Sequence, residues 1–468
     1  MVGEARRKWW TLVGACSGLF VLMLDSTVVA LALSSIRADL GASATELQWV
    51  MNGYLLTIAV LVVTAGRLGD MLGRKRLFVV GMVLFGAGSV LSGAAQGPLM
   101  LIGGRVLQGV GAAPMLSLSL AIVCNAFPKD EQPRALGIWA AVSAIALAIG
   151  PVVGGALIAL NWRLIFWVNL PVIVAGIAIV LASAPESTDP QAGRRIDLAG
   201  LLALTVGLGG LVLAMIQSRE WPAGLTAALA VLGVVALAAF AWIERRVRNP
   251  IVEFSLFRNG PYFGASSAAF AVVGSYWAVM FFQPQYLQDA LGHSAILSGV
   301  LILPVTVPMV LISPFSGALI GRFGARRLMT AGMLFGVAGL FVLTRIAPDS
   351  SYGLVLAGYL LFGIAIGLVY APMSTAAMAA MPPEKVGIAS GVLAMDRIVA
   401  GSLALAATGA AFHALQASGD SFTASIAGST WVSVVLCALG TVLTWAFVRD
   451  PGSPPPEPHS ARHRHFHL

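Results

Sequence analysis

Charged side chains stranded in apolar surroundings are the residues of this 468-residue chain best placed to do chemistry. Asp25 lies about 15 residues beyond Trp10 in a long apolar run, roughly 22 Å along a helix rising 1.5 Å per residue. Arg105 sits about six residues into another such run, roughly 9 Å deep. Asp396 and Arg397 are adjacent near the middle of a third. An ionised side chain in hydrocarbon costs about 3 kcal/mol or more, so each should be paired, wetted or protonated. In a hydrocarbon core about 30 Å thick, Asp25 and Arg105 fall at matching depth, so they are candidates to meet. A carboxylate that loads a proton on one side and releases it on the other would couple a gradient to movement. A fixed salt bridge that only holds two helices together is the other reading. Asp396 and Arg397 are likewise a second protonation or cation site, or a pair of charges neutralised by neighbours.

Other chemistries find no foothold. The sequence contains no Gly-Lys pair and hence no phosphate-cradling Walker loop. It has no H-E-x-x-H, and the histidines before the C-terminal tail are His293 and His413. Cys16, Cys124 and Cys437 lack metal-ligand spacing, and no disulfide is expected. His459, His463, His465 and His467 lie in a Pro-rich, then His-rich tail over 451–468 that reads as disordered rather than as a metal site. Neither an enzyme nor a bound cofactor or metal is expected.

The elements that must position these charges follow from solubility. With 58% hydrophobic and 10% charged residues, the chain has too little polar surface to cover a water-soluble globule. A membrane helix needs about 20 mostly apolar residues. That criterion places spans near 10–33, 49–68, 77–95, 99–124, 135–160, 164–184, 198–217, 224–243, 262–284, 296–320, 328–346, 352–378, 387–414 and 426–447. The Arg6-Arg7-Lys8 start imitates a secretory signal, but the run that follows is too long and is read as a retained first span. With fourteen spans, one set of connections carries nearly all the Lys and Arg outside the spans. The other set carries only Arg37, Arg163, Arg219 and Arg345. The positive-inside rule then puts both termini in the cytoplasm of a bacterial inner-membrane protein, and explains the basic excess without nucleic acid. Trp9, Trp10, Trp49 and Trp162 suit the membrane interface.

Two segments punctuate the spans. The polar stretch 185–196 follows the sixth. The turn Gly66-Arg67-Leu68-Gly69-Asp70-Met71-Leu72-Gly73-Arg74-Lys75-Arg76 follows the second, and Gly317-Ala318-Leu319-Ile320-Gly321-Arg322-Phe323-Gly324-Ala325-Arg326-Arg327 follows the tenth. Both read G-x-L-x-x-x-x-G-x-[KR]-R, so the chain carries a parallel internal repeat of the kind built into large transporter folds. The expected organisation is a six-helix unit over 1–184 and a linker with two additional helices over 185–255. A second six-helix unit over 256–450 and the tail 451–468 complete it.

On these motifs the sequence resembles the major facilitator superfamily, and within it the fourteen-span drug/proton antiporters of the EmrB/QacA type. Leu24-Asp25-Ser26-Thr27-Val28-Val29 is similar to a first-span signature of that family, although Ala30 and Ser34 stand where Asn and Pro are usual. Gly66 to Arg76 resembles its loop signature, and Leu101, Arg105, Gln108, Gly109, Gly111 and Ala112 its fourth-span motif. Gly150-Pro151-x-x-Gly154-Gly155, with Gly137 upstream and Ala146 in place of a usual glycine, is similar to the fifth-span antiporter motif. Trp162-Arg163 with Phe166, Asn169 and Pro171, then Asp197-x-x-Gly200, and Gly387-x-Ala389-Ser390-Gly391 followed by Arg397, resemble the fourteen-span branch.

The resemblance implies an all-α major facilitator fold with two six-helix halves plus two inserted helices, exporting small amphipathic or cationic compounds, often antibiotics, on the proton gradient. It implies a gating role for Gly66, Asp70, Gly73, Arg74 and Lys75, with Asp70 pairing across the two halves. Pro151, lacking an N–H, is expected to kink span five, with Gly150, Gly154 and Gly155 admitting a neighbouring helix. The expected partners are a small-molecule substrate and the lipid bilayer, with a monomer as the working unit. An exporter or importer of an ordinary metabolite in the same fold stays open, as does, less favoured, a membrane-embedded enzyme or receptor.

Overall fold

The computed structural model describes residues 4–128, 131–188, 197–247, 250–382 and 385–448. The tail histidines and most of the 185–196 stretch lie outside these residues. Among the described residues every regular element is helical, and fourteen helices are long and apolar enough to cross a membrane. They are α1 (Arg6–Leu40), α2 (Ala44–Leu72), α3 (Arg74–Gly93), α4 (Pro98–Ala126), α5 (Arg134–Leu160), α6 (Leu164–Ser183) and α7 (Leu198–Ile216). There follow α8 (Ala223–Glu244), α9 (Gly260–Ala290), α10 (Ala295–Ile312), α11 (Ala325–Leu343), α12 (Tyr352–Ala379), α13 (Ile388–Ala417) and α14 (Phe422–Phe447).

Two spans depart from the sequence reading. The first is far longer than 10–33, because no proline interrupts it and it runs on until Gly41, at φ 62°, turns the chain. The tenth is shorter than 296–320. It ends at Ile312, passes through a tight 3₁₀ turn at Ser313–Phe315, and resumes as a separate helix, Ser316–Phe323. Pro314 brings no N–H to the ladder, so the α-helix does not continue there.

The repeat seen in sequence recurs in packing. Helices α1, α5 and α6 pack together, as do α2, α3 and α4; eight helices later, α9 packs on α13 and α14, and α12 on α10 and α11. The repeated turns share a backbone conformation. Gly73 has φ 116° and Gly324 φ 82°, a region that side-chain-bearing residues avoid, which is why both copies keep glycine there. Contacts across this arrangement obey the same symmetry, α2 against α13 and α5 against α10. The inserted α7 and α8 form a pair, and α7 packs against both α2 and α13.

Side-chain bonds define two faces of the bundle. Lys8 meets Glu131, Arg7 donates to the Ser183 carbonyl, Asn259 to the Ala380 carbonyl, and Lys385 pairs with Glu253. With fourteen crossings the start of α1 and the end of α14, whose Phe447 ring meets Phe263 at the start of α9, lie on this one face. The Lys385 ammonium beside Glu253 holds that carboxyl below its usual range, helped by the Ser255 hydroxyl. On the opposite face Arg163 bonds Asp39 at 2.7 Å and the Ala95 carbonyl at 2.9 Å.

Candidate functional site

Asp25 sits midway along α1, and the structure brings to it the residue that sequence depth suggested. Arg105 Nη1 donates to Asp25 Oδ2 at 2.6 Å, and both side chains have 0% exposure. The other carboxylate oxygen accepts from Gln108 Nε2 at 3.2 Å and Asn169 Nδ2 at 3.3 Å. Both amides also donate to Ser89 Oγ, at 2.9 and 3.3 Å. Arg105 is fixed further by Gln108 Oε1 at 2.7 Å, the Val50 carbonyl at 3.1 Å and the Tyr54 ring, whose centroid lies 4.2 Å from its guanidinium carbon. Three amide and guanidinium donors on one carboxylate, far from water, offset the charge that hydrocarbon would otherwise penalise. Helix geometry makes this possible: Arg105 and Gln108 are three apart and share one face of α4, about two and three turns from its start, beside α1.

The turn between α2 and α3 is closed locally. Arg74 Nε donates to Asp70 Oδ1 at 2.8 Å, one helical turn apart. Asp70 thus pairs within its own turn here, rather than across to the last six spans. Lys75 Nζ donates to the Leu181 carbonyl at 2.9 Å. Glu186 accepts from the backbone N–H of Lys75 at 3.0 Å and of Arg76 at 3.2 Å, so a carboxylate caps the positive end of α3. A Cβ on Gly73 would come within 2.8 Å of that carboxylate, so glycine is required by space as well as by φ. Gly66 faces Ser117 of α4, where a Cβ would lie 3.4 Å from Ser117 Cβ.

Helix α5 runs unbroken through Pro151, and its glycines set how near other helices come. A Cβ at Gly150 would lie 1.9 Å from Thr27 Oγ1, and one at Gly154 2.9 Å from Val28, both on α1. At Gly155 it would meet the Ala295 carbonyl oxygen and Ile296 Cα at 2.8 Å, and Gly299 in turn lies against the Pro151 carbonyl. Here α5 and α10 touch backbone to backbone. Hydrogen bonds join the first six spans to the last six toward the face opposite the termini. Arg37 bonds Asp289 at 2.9 Å and Gln285 at 2.7 Å, and Gln288 the Leu31 carbonyl at 2.9 Å. Gln48 bonds His413 at 3.0 Å, and Ser402 bonds Asn52 at 2.9 Å.

Asp396 and Arg397 point apart. Asp396 Oδ2 accepts from Ser266 of α9 at 2.8 Å. Arg397 donates to Tyr370 Oη at 3.3 Å and Ser374 Oγ at 3.0 Å, both on α12. Neither joins the Asp25 cluster.

Residues 15–405 match the sequence profile of the Major Facilitator Superfamily. The chain belongs to that superfamily. Among curated relatives of this facilitator, a multidrug resistance protein, Stp, of Mycobacterium tuberculosis (strain CDC 1551 / Oshkosh) is 35% identical over 413 residues, 87% of this chain and 76% of that protein. The puromycin resistance protein pur8 of Streptomyces alboniger is 34% identical over 95% of this chain and 92% of its own length. The crystal structure of a D-xylose-proton symporter superposes with a TM-score of 0.66 at 14% identity, covering 94% of this chain and 97% of that one, a likeness of fold. The facilitator is thus a multi-pass membrane transporter, and its all-α fold is that of the superfamily.

Several residues of the facilitator's polar network escaped sequence reasoning. Gln108 and Asn169 sit inside motifs quoted for resemblance, yet nothing in the sequence assigned them to Asp25. Ser89 and Glu186 gave no signal at all. Asp197 and Glu244 also converge: Asp197 caps α7 through the Gly200 N–H at 2.8 Å, Glu244 accepts from the Val252 N–H at 3.0 Å, and a Cβ on Gly200 would lie 2.5 Å from an oxygen of each. The Asp197-x-x-Gly200 spacing was visible; its dependence on Glu244 was not.

Proposed function

We propose that this facilitator is a proton-coupled exporter of small amphipathic or cationic compounds, seated in the bacterial inner membrane with both termini in the cytoplasm. The observation that carries the reading is the sealed Asp25–Arg105 pair at the centre of the first six spans. A carboxylate at this depth is worth its energetic penalty if it titrates during the cycle. Sealed here and exposed in another conformation, it would take up a proton only when the bundle changes shape, which is the linkage an antiporter needs. Resistance to antibiotics in the relatives supports drug-like cargo.

The basic residues Arg74, Lys75, Arg76, Arg134, Arg245, Arg246 and Arg258 gather at connections on the terminus-bearing face, which supports a cytoplasmic position for it. The bonds joining Arg37 to Asp289 and Gln48 to His413 then close the outer side. Asp70, bonded to Arg74, is on this reading an unfastened inner latch. The gradient is the energy source, with no cofactor.

Everted vesicles containing the protein test this. A lipophilic dye should be pumped when a pH gradient is imposed without ATP, and pumping should stop when the gradient is collapsed. ATP-driven transport that survives collapse of the gradient would sink the proposal.

A further inference from the structure

The base of the inserted hairpin holds two acids that the export reading does not use. Asp197 stands directly ahead of α7, and Glu244, 4% exposed, closes α8. Each commits one carboxylate oxygen to the backbone. Asp197 Oδ1 accepts from the Gly200 N–H at 2.8 Å, and Glu244 Oε2 from the Val252 N–H at 3.0 Å. The remaining oxygens, Asp197 Oδ2 and Glu244 Oε1, are buried and receive no hydrogen bond from any described residue. They face each other. A Cβ on Gly200 would lie 2.5 Å from both, and the two side chains are within hydrogen-bonding reach.

Neighbouring charges do not resolve this encounter. Helices α7 and α8 carry no Lys or Arg. Beyond α8, Arg245 is exposed and Arg246 lies over the Trp242 ring at 3.9 Å. In the turn before α9, Glu253 is taken by Lys385 and Ser255, and Arg258 stands at its far end. On the helices packed against α7, Asp70 is held by Arg74 and Arg67 has contacts of its own. Asp396 and Arg397 of α13 are bonded to Ser266 and to Tyr370 and Ser374. Ionised together, the two facing carboxylates would repel, and both free oxygens would go without a donor. One proton removes both faults, because the neutral acid gains an O–H that the other oxygen accepts.

We infer that Asp197 and Glu244 share one proton, which latches both ends of the α7–α8 hairpin to the turn leading into α9 and lets go when the medium on the terminus-bearing face turns alkaline. Once the proton leaves, two buried anions face each other, and the Gly200 and Val252 amides lose the carboxylates held against them. The folded form then binds a proton that the opened form does not, so the latch weakens as pH rises. It is separate from the Asp25 pair and is measured without any transport.

Hydrogen exchange in the full-length protein, held in lipid nanodiscs, tests the latch. After correction for the intrinsic base-catalysed rate, protection of peptides containing Gly200 and Val252 should fall at least tenfold between about pH 6 and about pH 9, while peptides from α4 keep theirs. Glu244→Gln puts a permanent N–H donor where the proton would sit, so protection there should change less than twofold over the same range. Asp197→Asn should behave alike and serves if the first variant does not fold. The two substitutions together set donor against donor and should lose protection at every pH. Protection that ignores pH in the parent overturns the shared proton. So does lost protection at the acid end in a folded single variant, the result expected if a bound cation bridged the two carboxylates instead.

Discussion

Replacing Asp25 by Asn leaves shape and removes charge, and the structure sets what that should do. Arg105 has 0% exposure and Asp25 as its anion; after substitution its guanidinium retains Gln108 Oε1, the Val50 carbonyl and the Tyr54 ring, all uncharged. Stranding one member of a buried pair typically costs about 3–5 kcal/mol. Removing both charges, with Asp25→Asn and Arg105→Met together, should recover most of that, because a buried pair contributes little net stability over apolar packing. The expected coupling between the two sites is therefore at least about 2 kcal/mol, well beyond the error of additivity. Heating in detergent with a thiol-reactive dye follows unfolding through Cys16 and Cys437, both buried. The single variant should melt well below the parent, and the double between them. Gradient-driven efflux should be absent in both, at matched abundance in the membrane. If Asp25→Asn melts with the parent, the charge pair is not what the helices depend on. If it still pumps on added acid, the proton is carried elsewhere.

Three further expectations concern switching and packing. Asp70→Asn should slow turnover severalfold while equilibrium substrate affinity stays within about threefold, because the residue lies in a turn on the terminus-bearing face; lost binding with an intact exchange rate would contradict this. Gly150→Val should lower stability by about 1–3 kcal/mol, since its Cβ would overlap the Thr27 hydroxyl, and a paired Thr27→Ala should relieve part of the loss; thermal unfolding of the single and double variants reads it directly. Arg37→Ala removes the bonds to Asp289 and Gln285 and should shift the resting population toward the form open on that face. Distances between spin labels near Ala44 of α2 and Ala417 of α13 should lengthen, and an unaltered distribution would show that the remaining contacts across the seam, Gln48 with His413 and α5 with α10 among them, hold it without Arg37.

Much of this was legible in the sequence. Fourteen apolar runs with alternating charge leave few choices in a membrane, and the two glycine-basic turns disclose the repeat from sequence alone. Asp25 and Arg105 stood out because charge in hydrocarbon needs an explanation. Their companions did not: Ser89, Gln108 and Asn169 are uncharged, occur commonly in membrane helices, and acquire meaning only when three helices meet. The break in the tenth span was missed because a hydropathy reading weighs side chains, whereas the helix ended for want of a backbone N–H at Pro314. Glu186 and Glu244 act on helices distant in sequence or on backbone donors, and local spacing carries no record of either. Asp70 was expected to reach across the bundle. It is instead bonded within its turn, a choice among partners that depends on which conformation is populated.

The position of the inserted pair has a consequence for the cost of alternation. Val212 and Ile216 of α7 cluster with Trp49 and Leu56 of α2 and with Leu403 and Ala406 of α13, so one helix is seated on both repeats at once. In water, peeling α7 from either side would expose apolar surface at a steep penalty. In a bilayer the exposed side chains meet acyl chains as apolar as themselves, and only packing contacts are forfeited. If the repeats rock against each other, as the proposed export cycle requires, the extra hairpin can therefore travel with one and slide past the other as a lipid-lubricated bearing, adding bulk to the perimeter without adding a comparable barrier.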